Sequence, residues 1–402
     1  MLGTGEGEGG GVSRGDTRGI ESRQVHSTER TPSVIVIGAG PAGLAVSACL
    51  TQRGIRPLLL ERAEHVGNAW RNHYSRLHLH THRRHSGLPL FPMPADFPRY
   101  PARDQVVGYL ASYARHFGLL PKFGEWVVRL RAGASGWEVQ TTNALHRAPH
   151  VVVATGYARE PIVPDWPGRA AFAGRVLHSS AYRNGAAFRG QRVLVVGFGN
   201  SGGEIAIDLT EQGATASLAV RGEVNVIPRE ILGVPILSIG IAQRLFPPAV
   251  ADALSAPVLR AIFGDLASYG LRKAPYGPQV QIRRHKRIPL IDIGTMGLIR
   301  EGRIAVRPGV ASFTREGVTF ADGREEPFDA VILATGYRPR VNEFLEGTDG
   351  ALDASGAPLA GDEALRIPGL HFCGFNVSAN GMFRAISKEA PRIAATIAAG
   401  IA

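Results

Sequence analysis

Val34-Ile-Val-Ile-Gly38-Ala-Gly40-Pro41-Ala42-Gly43, followed at once by Leu-Ala-Val-Ser-Ala, joins a short apolar run to a glycine turn and then to small helix-forming residues. A four-residue apolar run bounded by turn residues reads as a strand buried on both faces, the kind a parallel sheet needs. The turn then has work for each glycine. The first makes the bend, the second lets a pyrophosphate approach the backbone, and the third lets the helix pack on the strand. Alone this pattern is weak. Its context strengthens it, because a second apolar run, Pro57-Leu-Leu-Leu, ends in Glu61, 61 − 38 = 23 positions after the first glycine. An acid at that place can accept hydrogen bonds from a ribose hydroxyl. Gly38, Gly40, Pro41, Ala42, Gly43, Glu61 and the adjoining Arg62 are therefore candidate dinucleotide contacts.

The same grammar returns at Arg192–Val196, where Gly197-Phe-Gly199-Asn200-Ser201-Gly202 opens another helix. Here the following strand ends in a base, Arg221, which suits a 2′-phosphate that a carboxylate would repel. A solvated turn residue is the other reading of Arg221. Two dissimilar dinucleotide sites in one chain imply hydride transfer between them, with FAD at the acidic site and NADPH at the basic one. Asn200 and Ser201 open the second helix, where a pyrophosphate would rest.

Two near-copies, Val151-Val-Val-Ala-Thr-Gly-Tyr157 and Val331-Ile-Leu-Ala-Thr-Gly-Tyr337, flank the second glycine turn and read as the points where the chain leaves and re-enters the first unit. Thr335 and Gly336 of the later copy, and Gly374 after the apolar run at Leu370, join the candidate cofactor contacts. The fold class expected is α/β, with two Rossmann-like dinucleotide-binding domains and the NADPH domain inserted in the FAD domain. Its parts are a disordered Gly-rich tail over 1–30, FAD-binding segments over 31–165 and 326–402, and the NADPH domain over 166–325 with an apolar helical lid over 231–270. A final helix is expected over Gly381–Ile397, interrupted at Pro391.

Composition narrows the function. The 402 residues, 44% hydrophobic and 20% charged, allow two or three ordinary globular domains. The two cysteines, Cys49 and Cys373, are too far apart in sequence for a dithiol motif, which suggests a reducing, cytoplasmic setting. A net charge of +11 suits anionic small molecules, since no basic run is interleaved with aromatics as nucleic-acid binding requires. No apolar run reaches the roughly 20 residues a transmembrane helix needs. The apolar stretch from Ile231 to Ile241 is expected to be core or a lid, with contact to a membrane surface as the other reading. Oligomeric state is not legible.

His78-Leu-His80-Thr-His82-Arg-Arg-His85 puts three histidines at alternate positions, which on an extended strand would share one face as metal ligands do. No carboxylate follows at ligand spacing before Asp96, so no metal is expected. The segment reads instead as a loop near Trp70, with Trp70 and His80 lining cofactor or substrate.

Phe172-Ala-Gly174-Arg-Val-Leu-His178-Ser-Ser-Ala-Tyr182 resembles the FxGxxxHxxxY motif of class B flavin monooxygenases and stands, as theirs does, just before the second glycine turn. Leu77-His-Leu-His80, Leu88–Pro101, Val226–Glu230, Tyr269–Lys273 and Pro289–Gly294 resemble segments of the YUCCA-type branch in the same order. The likeness runs from about Ser33 to the C-terminus, and the sequence departs from the branch just after His80.

The resemblance implies an enzyme in which NADPH reduces FAD, the reduced flavin adds O2 at C4a, and the resulting peroxide gives one oxygen to a small-molecule substrate. His178 and Tyr182 are the catalytic candidates it implies, through linking the domains and orienting the nicotinamide. An aryl 2-oxo acid is the first substrate expectation, with Arg83, Arg84 and Arg229 available for its carboxylate. N- or S-oxygenation and Baeyer–Villiger insertion fit the same framework. The alternative is an NADPH-oxidising flavoprotein that passes electrons to a partner or to O2 as H2O2.

Overall fold

A computed structural model describes residues 31–348, 350–359, 367–377 and 381–401, with the backbone alone at Arg244. The tail expected over 1–30 lies outside the described residues. The quoted stretch folds as its pattern requires: Val34–Ile37 is strand β1, all four residues buried, and Pro41–Thr51 is helix α1 with proline in its first turn. Leu58–Leu60 is β2 and Arg103–His116 is α2. His150–Val153 is β3 and Arg175–His178 is β4. Arg192–Val196 is β5, Asn200–Glu211 is α3 and Thr215–Val220 is β6. The apolar region supplies α4 (Ile236–Ala242) and α5 (Pro248–Phe263), and α6 (Pro278–His285) follows it. Leu290–Asp292 is β7, Ile304–Pro308 is β8, Ala330–Leu333 is β9, Leu370–Phe372 is β10 and Met382–Ile401 is α7.

Two parallel sheets follow. The first has the order β2-β1-β3-β10, with Ile37 opposite both Leu60 and Val153. The second has the order β8-β6-β5-β9-β4, with Val196 opposite Leu333. In each, the strand that feeds the glycine turn is central and its helix crosses to a parallel neighbour, the arrangement that places a ligand at the carboxyl ends of the strands. Every strand of the second sheet lies between β3 and β10 in the chain, so the second nucleotide fold is inserted in the first.

One boundary differs from expectation. Ala330–Leu333, expected in the returning part of the first unit, pairs with both β5 and β4 of the second sheet. The two near-copies therefore close two different sheets. Their local sequences are interchangeable, and only non-local pairing assigns each to its sheet.

The helix α7 also runs straight through Pro391 instead of dividing there. Phe383, Ile386 and Ala390 before the proline, and Ile393, Ala394 and Ile397 after it, are buried in the core that holds α1. Burying an isoleucine is worth about 1.5–3 kcal/mol, so packing on both flanks outweighs the one helical hydrogen bond that proline forgoes. Cys49 and Cys373 are both free and buried, and burial pushes the Cys49 thiol up to about 11.

Candidate functional site: two glycine turns on one cavity

The third glycine of each turn is fixed by contact. A Cβ on Gly43 would come 1.8 Å from the carbonyl oxygen of Gly38, and one on Gly202 would come 2.1 Å from that of Gly197. Gly38 and Gly197 themselves have φ of +105° and +120°, which side-chain-bearing residues rarely adopt. The second glycines differ: beside Gly40 and Gly199 there is nothing within 4 Å. Both helices also begin without a side-chain cap and without an acid in the first turn. Open space in front of uncapped N–H groups is what a pyrophosphate would fill, so both turns fit dinucleotides.

Both reach one cavity of about 1070 Å3, the first turn through Gly38, Gly40, Pro41 and Ala42 and the second through Asn200 and Ser201, whereas Gly197, Gly199 and Gly202 stay off its wall. At its first end Glu61, largely buried, accepts from the Ala39 N–H at 2.7 Å and the Ala63 N–H at 2.9 Å. Its carboxylate keeps lone pairs for a ribose. Arg62 lies over the Trp126 ring at 5.8 Å, and both line the cavity. Trp70, also lining it, meets Phe383 edge-on at 5.7 Å, at the start of α7. The Gly374 N–H is held at 3.0 Å by Glu389, and a Cβ there would strike Ala42. At the other turn Ser201 lines the cavity, while Asn200, also at its wall, accepts from the Ile291 N–H at 2.8 Å and so ties α3 to β7.

The two units meet at a residue the sequence did not single out. Glu204, in the second turn of α3 and 2% exposed, lies 2.5 Å from His80 Nε2. Its other oxygen is buried without a partner, and both residues line the cavity. Because a carboxylate can only accept here, Nε2 carries the proton and Nδ1 is the remaining nitrogen. Tyr74 sits beside this pair. Burial, and then the Glu204 charge, push its phenol well above the ordinary range. The only signal in sequence was an acid two positions past the last glycine, where a bound dinucleotide would oppose its charge.

The other histidines of the run are taken separately. His78 Nδ1 contacts the Arg76 carbonyl at 2.6 Å, His82 Nδ1 accepts from the Arg84 N–H, and His85 Nε2 meets the Ser238 hydroxyl at 3.0 Å. The segment bends at His80 and Thr81 before a short 3-10 helix at Arg83–His85, so that His78 and His80 line the cavity and His82 does not. Among the described residues no group of three metal-ligating side chains occurs. Arg83 binds the Phe97 carbonyl and Arg229 lies over the Tyr100 ring at 4.2 Å; neither these two nor Arg84 lines the large cavity.

The FxGxxxHxxxY residues do structural work at the edge of the second sheet. Phe172 packs edge-on against Phe313, and a Cβ on Gly174 would meet the Asp329 carbonyl at 2.7 Å. His178 contacts the Gly336 carbonyl with Nε2 at 3.1 Å and accepts from the Ser180 N–H with Nδ1, while burial lowers its pKa. It stands one layer behind Tyr337, which does line the cavity. The Tyr182 hydroxyl, 1% exposed, donates to Asp208 at 2.6 Å and is absent from the cavity wall. Thr335 donates to the Ile162 carbonyl, and neither it nor Gly336 reaches the cavity. Their counterparts Thr155 and Gly156 in the first copy do reach it. Arg221 is exposed at the end of β6, and Arg272 donates to its carbonyl at 2.9 Å, making a basic corner that the sequence read as one arginine.

Two parallel sheets, each presenting an uncapped glycine turn to a shared cavity, define a two-dinucleotide oxidoreductase. Residues 31–348 match the family model described as "Flavin-binding monooxygenase-like". An indole-3-pyruvate monooxygenase, YUCCA1, of Oryza sativa subsp. japonica is 42% identical over 78% of this chain and 79% of its own. A flavin-containing monooxygenase from Stenotrophomonas maltophilia superposes with a TM-score of 0.70 over 92% of this chain and 99% of its own, at 26% identity. OTEMO in complex with FAD and NADP shares the fold at 17% identity, with a TM-score of 0.68 over 92% of this chain and 86% of its own. The chain belongs to the flavin-binding monooxygenase-like family and is an oxidoreductase with a flavin cofactor and O2 as co-substrate. Among the described residues no helix is long and apolar enough to cross a membrane.

Proposed function

We propose that the protein is an FAD- and NADPH-dependent monooxygenase that oxidatively decarboxylates an aryl 2-oxo acid. One observation carries the reading: residues of both glycine turns line a single cavity, on whose wall Glu204 of the inserted unit reaches His80 of the first. The YUCCA relative, named for its action on indole-3-pyruvate, supplies the substrate class.

The bound flavin would supply the redox chemistry, taking hydride from NADPH and delivering one atom of O2 to the substrate. One oxo acid, one O2, one NADPH and one proton give the acid one carbon shorter, CO2, NADP+ and water. The uncapped N-termini of α1 and α3 bind the two pyrophosphates, and Glu61 accepts from the first ribose. Arg221 and Arg272 pair with the 2′-phosphate. His80, its Nε2 proton fixed by Glu204, keeps Nδ1 for a proton at the reacting end. The apolar walls from α4, α5 and α6 exclude water.

The test is turnover of the FAD-loaded protein with NADPH, indole-3-pyruvate and 18O2. One labelled oxygen in the indole-3-acetate, with one NADPH consumed per product, is the expected result. NADPH consumption matched by H2O2, with the oxo acid untouched, would replace this reading with an oxidase or reductase.

A further inference from the structure

Beyond the reacting end, the cavity continues into a chamber formed by α4, α5 and α6. Its walls are aliphatic, among them Ile231, Ile239, Leu259 and Ile282, yet the 3-10 turn that follows α4, and the helices α5 and α6, each bring one neutral polar side chain to it: Gln243, Ser255 and Gln279. Their hydrogen bonds have a direction that can be deduced. Ser255 donates its only proton to the Ala251 carbonyl at 2.8 Å, so toward Gln243 its oxygen can only accept. Gln243 must therefore present its amide nitrogen there, at 2.8 Å, which turns its oxygen toward Gln279. Gln279 in turn presents its nitrogen to that oxygen, at 3.3 Å. Besides one amide N–H on each glutamine, the series leaves over one acceptor, the amide oxygen of Gln279.

The backbone that carries this side chain is held from behind. Asp252, buried, accepts the Gln279 and Val280 N–H groups at 2.8 and 2.9 Å, which fixes the start of α6. Gly240 of α4 faces the Gln279 amide, where a Cβ would stand 3.7 Å from its nitrogen. Among the described side chains no lysine or arginine lines the chamber. The cavity's arginines, Arg62 and Arg159, lie over Trp126 and Phe344 at the first nucleotide's end, and the charged group that touches Gln279 is the Asp252 carboxylate, at its backbone N–H. An anion is therefore not favoured here, and an unsatisfied acceptor in an apolar chamber selects a neutral donor.

We infer that Gln279, oriented through Gln243 and Ser255, is the specificity subsite for the aryl end of the substrate, and that it accepts a hydrogen bond from a ring N–H or O–H. The substrate then enters with its ring in the chamber and its oxo acid toward His80. This rests on the aryl 2-oxo acid reading, and the binding measurement below is independent of turnover.

The experiment is equilibrium dialysis of the oxidised holoenzyme with indole and with 1-methylindole, alongside kcat/KM for indole-3-pyruvate and its 1-methyl analogue. The wild type is expected to favour the N–H compound of each pair by about tenfold, the worth of one hydrogen bond to a group otherwise left unpaired. Gln279→Leu brings both ratios to near one, the kinetic change falling on KM. Ser255→Ala, which frees Gln243 to turn over, relaxes the ratios partway while leaving Gln279 in place. Equal affinity of the wild type for indole and 1-methylindole overturns the subsite whatever the enzyme oxidises. A preserved indole preference with no oxo acid consumed would retain the subsite and remove the proposed reaction.

Discussion

His80 and Glu204 stand 124 residues apart in the chain and 2.5 Å apart in the fold, one from the loop after the first βαβ unit and one from the glycine helix of the second. The pair is a direct polar link between the two nucleotide units on the cavity wall. Glu204 is 2% exposed at its side chain and His80 12%. Removing His80 alone leaves a buried carboxylate uncompensated, at a cost of about 3 kcal/mol. His80→Ala should therefore lower the urea midpoint more than His80→Ala combined with Glu204→Gln, although the double variant loses more native groups. Equal midpoints would mean that water, not His80, satisfies Glu204.

Tyr182 gives a contrasting expectation. Its hydroxyl is spent on Asp208, which also accepts the Gly185 N–H at 2.9 Å. Tyr182→Phe should destabilise the fold by about 1–3 kcal/mol, since an oxygen of Asp208 loses a buried donor. Flavin reduction by NADPH should stay within about twofold of the wild type. A large loss in reduction rate at unchanged stability, measured by stopped flow and urea denaturation, would return Tyr182 to the catalytic role that its motif implied.

The basic corner predicts coenzyme choice. Arg221→Ala and Arg272→Ala should each lower kcat/KM for NADPH by about tenfold, corresponding to one charge-assisted pair at about 1.4 kcal/mol. The value for NADH, which has no 2′-phosphate, should hardly move. Parallel losses for both coenzymes would assign the two arginines to holding the end of β6.

His371, on β10, lies 5.8 Å from His150 in a stacked pair and has no hydrogen-bond partner at either ring nitrogen. Burial first, and the His150 charge second, hold it at about 4. A base whose folded pKa lies below its unfolded value of about 6.5 favours the native state only while neutral. Its contribution is thus complete above pH 6.5 and falls away as the pH drops toward 4, by about 3 kcal/mol in all. The native state should lose urea resistance across that window, and His371→Phe should flatten the loss. An unchanged slope in the variant would place the acid sensitivity elsewhere.

What the sequence disclosed was what depends on neighbours in the chain. Each glycine turn, its strand and its helix are decided within about a dozen residues, and so were legible. The sheet that takes Ala330–Leu333 was not, because Val331–Tyr337 and Val151–Tyr157 are nearly the same string and only pairing partners distinguish them. Glu204 looked like any residue of an amphipathic helix, since its partner lies in another unit. The motif at Phe172–Tyr182 marked the family correctly, while the contacts of His178 and Tyr182 are made behind the cavity wall. Gln243, Ser255 and Gln279 carry no mutual spacing, because three separate helices bring them together.

The steric lock at the two turns ties each glycine to the neighbouring strand of its sheet. A Cβ on Gly38 would meet the Ala154 carbonyl oxygen at 2.7 Å, and one on Gly197 would meet the Ala334 carbonyl oxygen at 2.4 Å. In both units the alanine belongs to the same Ala-Thr-Gly-Tyr string and follows the strand beside the glycine-bearing one. The same contact is thus made in register in both units, by the same residue of the same tetrapeptide, so alanine at either glycine would push apart two strands of its own sheet. Beyond that contact the two strings part: Thr155 and Gly156 line the cavity, and Thr335 and Gly336 do not.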